Sequence, residues 1–253
     1  MANLNFNQVS PDRYVNLVRE QAVRPRFRLS LLHPDESFQE DITKYLIQGS
    51  GSLQIQYAQG QRRSINFTLN NQSGIFTPTG INSKIWINTK FKLELGMEMS
   101  NGDIVWNSAG IFVVGTPQVT RKNAQETIDI QCYKFALLDG TLGGTLEATY
   151  EIEAGENIYN IMVDTLLQDN GNHYPIDTKR VVFDNSYINE VTQYTLSKSA
   201  NESYGDMLIE LANMIACDIY YDTNGNLTIQ SGIKDISQVN KPTLWTFKDT
   251  EYE

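Results

Sequence analysis

Apolar and polar side chains alternate one by one just before residue 70. The alternating residues are, in order, Ser64, Ile65, Asn66, Phe67, Thr68, Leu69 and Asn70. A period of two places the apolar row on one face of an extended strand and the polar row on the other. The pattern therefore predicts a strand that packs on a core through one face. Asn70, Asn71, Ser73 and Gly74 then predict a chain reversal, because Asn and Gly accept positive φ and Ser bonds local backbone.

The same period of two recurs through the first half of the chain. The apolar rows are Phe27, Leu29 and Leu31; Phe91, Leu93 and Leu95; and Ile128, Ile130 and Cys132. Apolar runs predict further strands at residues 42–47, 53–57, 104–106 and 111–114, and Asn101-Gly102 predicts a tight hairpin turn. Several short strands, with one helix signal before Leu137, predict a closed antiparallel barrel or a sandwich. We expect a β-barrel domain over residues 25–140.

Helix signals precede this domain. Ser10 suits an N-cap, Pro11 suits the first helical position, and Pro25 prevents the helix from continuing. Helical spacing puts four residues on one narrow stripe: Tyr14, Leu17, Val18 and Gln21. The sequence predicts an N-terminal helical arm over residues 1–24, which lies on its own domain or on a neighbour.

Beyond residue 140 the periodicity changes to that of helices. Ile158, Ile161, Met162 and Leu166 predict a helix over residues 156–168 that ends at Asn170-Gly171. A second helix is predicted by a longer apolar face, made of Tyr204, Met207, Leu208, Leu211 and Ile215. Asn224-Gly225, between two short apolar runs, predicts a β-hairpin. We expect an α+β domain over residues 141–253.

The last ten residues, 244–253, alternate as a strand does. We expect either that the sequence is the N-terminal piece of a longer protein or that this last strand needs a partner. The second domain is then incomplete at its C-terminus and contributes to a second barrel.

Composition and charge exclude several classes of function. The chain is 40% hydrophobic and 20% charged, which is typical of a soluble folded protein. A net charge of −10 repels nucleic acid phosphates unless the basic residues cluster, so we expect no sequence-specific nucleic acid binding. The sequence contains no signal peptide and no apolar run long enough for a membrane span, so we expect no stable membrane insertion and synthesis in a cytoplasm.

Reactive groups are not grouped in the sequence as a catalytic or metal site requires. His33 and His173 both lie beside proline in polar stretches, and the two cysteines, Cys132 and Cys217, are far apart and predict buried free thiols. Residues 222–226 imitate the start of a calcium loop, but position twelve would be Ile233 rather than Glu, so the hairpin interpretation is preferred. The glycines at 140, 143 and 144 lack the Lys-Ser/Thr of a phosphate loop.

Acidic and aromatic residues leave two alternatives open. The acidic residues Glu147, Glu151, Glu153 and Glu156 precede the first helix, but acidity alone does not identify a glycosidase pair. We therefore expect no enzyme, no catalytic residue, no cofactor and no metal. Tyrosines crowd the second half and could stack sugars or anchor a protein: Tyr150, Tyr159, Tyr174, Tyr187, Tyr194, Tyr204, Tyr220 and Tyr221. The alternative function is therefore a carbohydrate- or receptor-binding β module.

The order of these parts resembles that of phage tail baseplate hub proteins. The residues that carry the resemblance are the stretch from Arg63 to Pro78, then Ile85-Trp86, residues 90–95, 109–114 and 127–138, and residues 203–229. In that family a strand ends in an Asn-rich turn with Gly and Phe-x-Pro before the hub's barrel continues. The resemblance covers residues 25–232, and its motifs are strand and turn patterns rather than reactive residues.

The resemblance implies a structural function at the virion tail tip. It implies a homotrimeric ring whose subunits each supply two barrel-like domains, and a lumen through which DNA passes. The implied partners are the tail tube, the distal tail protein, the tape-measure protein and the spike or receptor-binding proteins. It also implies that a peptidoglycan hydrolase can follow downstream in a longer chain.

Overall fold

The structure is a computed structural model. It describes residues 24–57, 59–77, 83–99, 101–115, 117–122, 125–167, 176–177 and 181–231. We refer to residues 24–132 as the first half and to residues 133–231 as the second half. The predicted arm over residues 1–24, except its last residue, and the predictions at Asn170-Gly171, His173, Tyr174 and residues 244–253 lie outside the described residues.

The first half is built from two antiparallel sheets. Its strands are β1 (Arg24–Leu32), β2 (Phe38–Asp41), β3 (Ser52–Ile55), β4 (Arg63–Asn70), β5 (Lys90–Glu98), β6 (Ile104–Val113), β7 (Gln118–Lys122) and β8 (Gln125–Cys132). One sheet has the order β2-β1-β5-β6 and the other β3-β4-β8-β7. The predicted antiparallel β structure is confirmed. Among the described strands the two sheets do not join into a closed barrel.

The two sheets of the first half enclose one hydrophobic core. The alternation that predicts β4 is confirmed, because Ile65, Phe67 and Leu69 are all buried. Phe67 meets Phe91 of the opposite sheet edge to face, with ring centroids 5.4 Å apart. The inward row does not stay inside along the whole sheet, however. Phe27 and Leu95, which the alternation places on the packed face, are exposed.

Two strand predictions in the first half are wrong in detail. Residues 42–47 do not form a strand, because Thr43–Tyr45 is a 3-10 turn in which the Asp41 carboxylate accepts the Thr43 N–H at 2.9 Å. Residues 104–106 and 111–114 are not separate strands, because β6 runs through both. A bulge lets β6 continue: its pairing with β5 shifts by one residue between Leu93 and Glu94.

The second half is α+β, as predicted. It contains β9 (Tyr150–Ile152), α1 (Ile158–Leu167), β10 (Val181–Phe183), β11 (Leu196–Lys198), α2 (Tyr204–Met214), β12 (Cys217–Tyr221) and β13 (Leu227–Ser231). A mixed sheet has the order β10-β13-β12, with β10 parallel to β13, and β9 pairs antiparallel with β11. α1 and α2 bury their apolar faces in a second hydrophobic cluster. The division into domains at residue 140 remains a prediction.

Local signals explain why α2 and the hairpin lie where they do. The Ser203 hydroxyl accepts the Asp206 N–H at 3.0 Å, which caps the first turn of α2. Gly225 adopts φ of 79° in the turn between β12 and β13, a conformation that glycine accepts without strain. Both elements were predicted and both are confirmed. Five strands that the sequence did not predict are very short or lie at sheet edges: β2, β7, β9, β10 and β11.

Candidate functional site

The Asn-rich turn that carries the family resemblance is held by one buried side chain. The Asn71 carbonyl oxygen Oδ1 accepts the Phe76 N–H at 2.9 Å, and its Nδ2 donates to Thr77 Oγ1 at 2.8 Å and to Glu126 Oε1 at 2.6 Å. Gly74 completes the reversal by donating its N–H to the Asn71 carbonyl at 2.8 Å. The turn therefore closes over Phe76, which is fully buried.

Glu126 links this turn to strand β8. Its carboxylate also accepts from Thr77 Oγ1 at 2.7 Å and from Arg121 Nε at 2.5 Å. The Thr77 hydroxyl and then the Arg121 guanidinium lower the pKa of the Glu126 carboxyl. All of these groups are engaged with one another, so the turn is a structural element rather than a reactive one.

The two halves meet around a group of buried charges that we call the charge cluster: Glu36, Lys90, Lys134 and Asp177. Lys134 Nζ lies 2.5 Å from Glu36 Oε1 and 3.2 Å from Asp177 Oδ2, and donates to the Gly225 carbonyl at 2.5 Å. Lys90 Nζ lies 2.9 Å from the same Glu36 oxygen. Two cations therefore face two carboxylates, each half of the chain contributing one of each sign.

Burial separates the charge cluster from an ordinary surface ion pair. The Glu36 and Asp177 side chains are 0% exposed and that of Lys134 is 1% exposed. Tyr221 packs beneath the cluster, and burial, followed by the Asp177 carboxylate, raises the pKa of its phenol well above the usual value. Charges without water must be paired and hydrogen-bonded, as these are. Glu36 also adopts φ of 67°, which is uncommon for a residue other than glycine.

A second polar contact joins the halves at the surface, and we call it the arginine stack: Arg62, Tyr57, Tyr220 and Asp218. The Arg62 guanidinium lies over the Tyr220 ring, 3.5 Å from its centroid, and 3.3 Å from Asp218 Oδ2. The Tyr57 hydroxyl donates to the same Asp218 oxygen at 3.0 Å. Tyr57 is 82% exposed, so this contact opens to solvent.

Backbone hydrogen bonds accompany the arginine stack. The loop between β3 and β4 pairs with β12, where Gly60 donates its N–H to the Ile219 carbonyl at 2.8 Å. Gln59 Oε1 accepts the Ile219 N–H at 2.8 Å. A narrow cleft runs between this loop and the charge cluster, past Arg63, Lys134 and Tyr221, and has room for about one water molecule. It is too small for a substrate.

Within the described part of the chain, the residues that could carry chemistry do not come together. His33 is exposed in the turn after β1, where its N–H donates to Ser37. Asp222 accepts the Asn224 and Asn226 N–H groups at 2.8 Å each. Its carboxylate therefore stabilises the hairpin turn, as the hairpin interpretation predicts. The glycine loop packs tightly, since a side chain on Gly144 would lie 2.3 Å from the Leu137 carbonyl oxygen.

The four acidic residues before α1 are all exposed: Glu147, Glu151, Glu153 and Glu156. The Glu156 carboxylate accepts the Glu153 N–H at 2.9 Å, a local turn contact. Across the described residues no three His, Cys, Asp or Glu side chains are grouped as a metal site requires. In the same part of the chain no helix is both long and apolar enough to span a membrane.

The described tyrosines of the second half do not form one surface. Tyr221 is buried in the second hydrophobic cluster, and five others pack against that cluster partly buried: Tyr133, Tyr150, Tyr159, Tyr187 and Tyr204. Tyr220 is covered by Arg62, and Tyr194 is half exposed. Cys217 is a buried free thiol, as predicted, and burial raises its pKa to about 11. These positions do not favour the alternative of a sugar-stacking module.

The sequence did not reveal the charge cluster or the arginine stack. Lys90 belongs to a row of polar residues that the alternation assigns to solvent, yet it is buried. Glu36 lies in the turn after β1 and Lys134 begins a short 3-10 helix, Lys134–Leu137, and charged side chains in such segments are usually exposed. One signal was available: Arg62-Arg63 opens an apolar strand, and adjacent arginines suit contacts with aromatic rings and carbonyls.

The chain is similar to several solved structures. It matches the 43 kDa tail protein of prophage MuSo2 from Shewanella oneidensis at 12% identity and a TM-score of 0.48, over 83% of this chain and 56% of that one. It matches a tail protein from Neisseria meningitidis at 10% identity and a TM-score of 0.47, over 89% and 56% of the two chains.

A further similar structure comes from the lidded PdpA-VgrG complex of Francisella, at 12% identity and a TM-score of 0.49, over 88% of this chain and 31% of that one. The chain thus spans little more than half of the two tail proteins and about a third of the last chain. No protein-family model and no curated protein matches the sequence. At these TM-scores the likenesses carry no part of the functional argument.

Proposed function

We propose that the chain is a structural component of a phage or prophage tail tip. In this proposal it forms a trimeric hub ring that joins the tail tube and the distal tail ring to the spike or receptor-binding parts. The observation that supports the proposal is the order of the folded elements. A sheet-rich first half with the Asn71 turn is followed by helices and the Asn224-Gly225 hairpin, as in the family that the sequence resembles.

The contacts between the halves are of the kind expected in a rigid structural subunit. The charge cluster and the arginine stack join the halves through ion pairs, backbone hydrogen bonds and a covered aromatic ring. We propose that the role is structural and not enzymatic, because the four carboxylates before α1 are exposed to solvent and that of Glu156 makes a local turn contact. An assay of peptidoglycan cleavage with the purified chain tests this second statement, and cleavage that is lost on replacing Glu151 and Glu153 would overturn it.

Passage of DNA through the ring belongs to the same proposal. The net charge of −10 would let DNA slide past a lumen without binding, because acidic groups repel phosphates. A strongly salt-dependent affinity for duplex DNA would contradict this expectation, because it would require a basic patch.

The mass of the assembly in solution tests the hub proposal directly. Native mass spectrometry of the full-length protein is expected to give a species of three chains. The 253 residues of the sequence account for 28.7 kDa of each chain. Electron microscopy of the same sample should then show a ring. A strictly monomeric full-length protein that binds glycans saturably would overturn the hub proposal and favour the carbohydrate-binding module.

A further inference from the structure

Arg63, a half-buried cation, lines the narrow cleft between the halves. It is the first residue of β4, and its Nη1 donates to the Tyr221 carbonyl at 2.9 Å. Among the described residues no carboxylate forms an ion pair with Arg63, and its Nε and Nη2 have no hydrogen-bond partner. Burial lowers the pKa of the guanidinium, because removal from water disfavours the charged form. The charge of Arg63 is therefore partly desolvated and lacks a direct counter-charge.

Arg62 lines the same cleft and carries a second unused donor. Its side chain is only 10% exposed, and its Nη2 lies 3.3 Å from Asp218 Oδ2. Its Nε is buried and has no partner among the described residues. A buried donor without a hydrogen bond is costly, so such a group in a folded protein indicates an acceptor that the chain itself does not supply. Two adjacent arginines of one cleft thus have N–H groups available for an acceptor.

The remaining charges in the lining leave the cleft electropositive. Lys134 also lines it, but the charge cluster balances its charge, as Asp218 balances that of Arg62. The carboxylate in the lining is that of Asp222, which accepts N–H groups of its own hairpin turn. Asp222 is near enough to favour the Arg63 charge, but it does not form an ion pair with it. The excess positive charge of the cleft is therefore that of Arg63.

We propose that this cleft binds one monatomic anion of the size and charge of chloride. The cleft has room for about one water-sized particle, so a phosphate, a sulfate or the carboxylate of a partner protein is too large for it. A water molecule could accept the same N–H groups, but it would leave the Arg63 charge without a counter-charge. This inference stands independently of the proposed hub function.

An anion in this cleft would contact both halves of the chain. Gly60, Arg63 and Gly110 line the cleft from the first half, and Phe135 and Tyr221 line it from the second. Binding would therefore require the halves to be docked, so the anion would bind the folded state and not the unfolded one. A ligand of this kind stabilises the folded protein by mass action.

Chloride-35 NMR of the full chain tests the proposal, because exchange with a protein site broadens the resonance of the free ion. We expect excess broadening with the unmodified protein, and about tenfold weaker binding in Arg63→Gln, the change expected when a hydrogen bond to a charged group is lost. Arg121→Gln is the matched control, since Arg121 is 73% exposed and binds Glu126. This control should broaden the resonance as the unmodified protein does. Equal broadening by the two variants would overturn the proposal, because the ion would then bind elsewhere.

The stability of the unmodified protein gives a readout that needs no variant. The urea midpoint should be higher in sodium chloride than in sodium gluconate at the same ionic strength, because gluconate screens charges equally but is too large for the cleft. Equal midpoints in the two salts would overturn the proposal even if Arg63→Gln failed to fold.

A crystal soaked in sodium bromide locates the ion. We expect an anomalous peak beside Arg62 and Arg63, and the lack of a peak there would overturn the proposal. A peak in the crystal without chloride broadening in solution would indicate an adventitious ion only, and that result would overturn it too.

Discussion

The charge cluster and the arginine stack both join the two halves, but they do so in different surroundings. In the charge cluster the side chains of Glu36 and Asp177 are fully buried, and Lys134 has all of its donors directed at protein oxygens. In the arginine stack the side chains of Arg62 and Asp218 are 10% and 18% exposed, and Tyr57 is 82% exposed. The same types of charge are thus used once in a fully buried site and once in a largely buried site that opens to solvent beside Tyr57.

This difference shows that desolvation, and not the number of ion pairs, determines how much stability is lost when one member of each contact is removed. Removing one member of a buried pair leaves an opposite charge without water, which is strongly destabilising. Removing one member of a pair that water reaches from one side, as beside Tyr57, costs less, because the remaining charge is partly hydrated. We therefore expect that the halves dock only when the charge cluster is intact. Changes in the arginine stack should weaken docking without preventing it.

The largest effect is expected for Lys134→Met, which leaves the buried carboxylates of Glu36 and Asp177 with Lys90 as the remaining cation of the charge cluster. We expect the free energy of unfolding to fall by about 3–5 kcal/mol. Urea denaturation measures it. Lys92→Met is the matched control, since Lys92 is partly exposed and pairs with Glu94 at 2.9 Å; its loss should stay below about 1 kcal/mol. Equal losses for the two variants would show that the charge cluster is not dry.

The next effect concerns pH and strand β12, which presents Cys217 to the second hydrophobic cluster and Asp218 to the arginine stack. Burial raises the pKa of the Cys217 thiol to about 11. The folded state therefore holds its proton more tightly than the unfolded state does, so the stability that this thiol contributes is complete below pH 9 and is lost as the pH rises towards 11.

Denaturation at a series of pH values checks this expectation. The free energy of unfolding should fall from pH 9 upward, before the buried tyrosines begin to add to the loss, and Cys217→Ala should flatten the first part of the curve. A Cys217→Ala protein with the same slope between pH 9 and pH 10 would assign the loss to other groups. The thiol should also react with iodoacetamide about 100-fold more slowly than in the unfolded chain, because only the thiolate is nucleophilic.

A smaller effect is expected for Arg62→Lys in the arginine stack. Lysine keeps the charge near Asp218 but loses the flat guanidinium that lies over Tyr220, so we expect a loss of about 1 kcal/mol. Stability in urea at low and high salt separates the parts of this contact. The ion pair should weaken with salt and the stacked ring should not. A loss of unfolding free energy as large as that of Lys134→Met would show that the arginine stack and the charge cluster do not differ in their contribution to stability.

The smallest effect is expected for Tyr57→Phe. This change removes the 3.0 Å hydrogen bond to Asp218 and keeps the ring. Water replaces the lost partner at such an exposed position, so the free energy of unfolding should change by less than about 0.5 kcal/mol. A matched thermal melt is sufficient to test it, and a clear drop in melting temperature would mean that Tyr57 is covered in the folded protein.

Elements with a long regular period could be predicted from the sequence. β4, α1 and α2 each bury one face of a local pattern, and the hairpin after β12 has a turn dipeptide with a known conformation. The bounds of these elements are set by residues close to one another in the sequence, so the local pattern is sufficient to predict them. Strands of three residues, such as β9 and β11, are too short to show any period.

The contacts between the halves could not be predicted, because they depend on which faces are later covered. Along β5 the residues Lys90 and Glu94 occupy the row that alternation assigns to solvent, yet both are buried. The second half covers the Lys90 end of that row through Lys134 and Asp177. The converse holds for Leu95, which belongs to the apolar row and is exposed because the sheet extends past its own core.

The contact between Lys134 and the Gly225 carbonyl spans 91 residues of chain. A ribosome must therefore synthesise the whole hairpin of β12 and β13 before this ammonium group finds its final acceptor. Before that point we expect Glu36 and Lys90 to be hydrated, so docking of the second half has to remove their water. We expect this dehydration to be a late and slow step of folding. The protein would then be most exposed to proteases and aggregation in the interval between formation of the two sheets of the first half and docking of the second half.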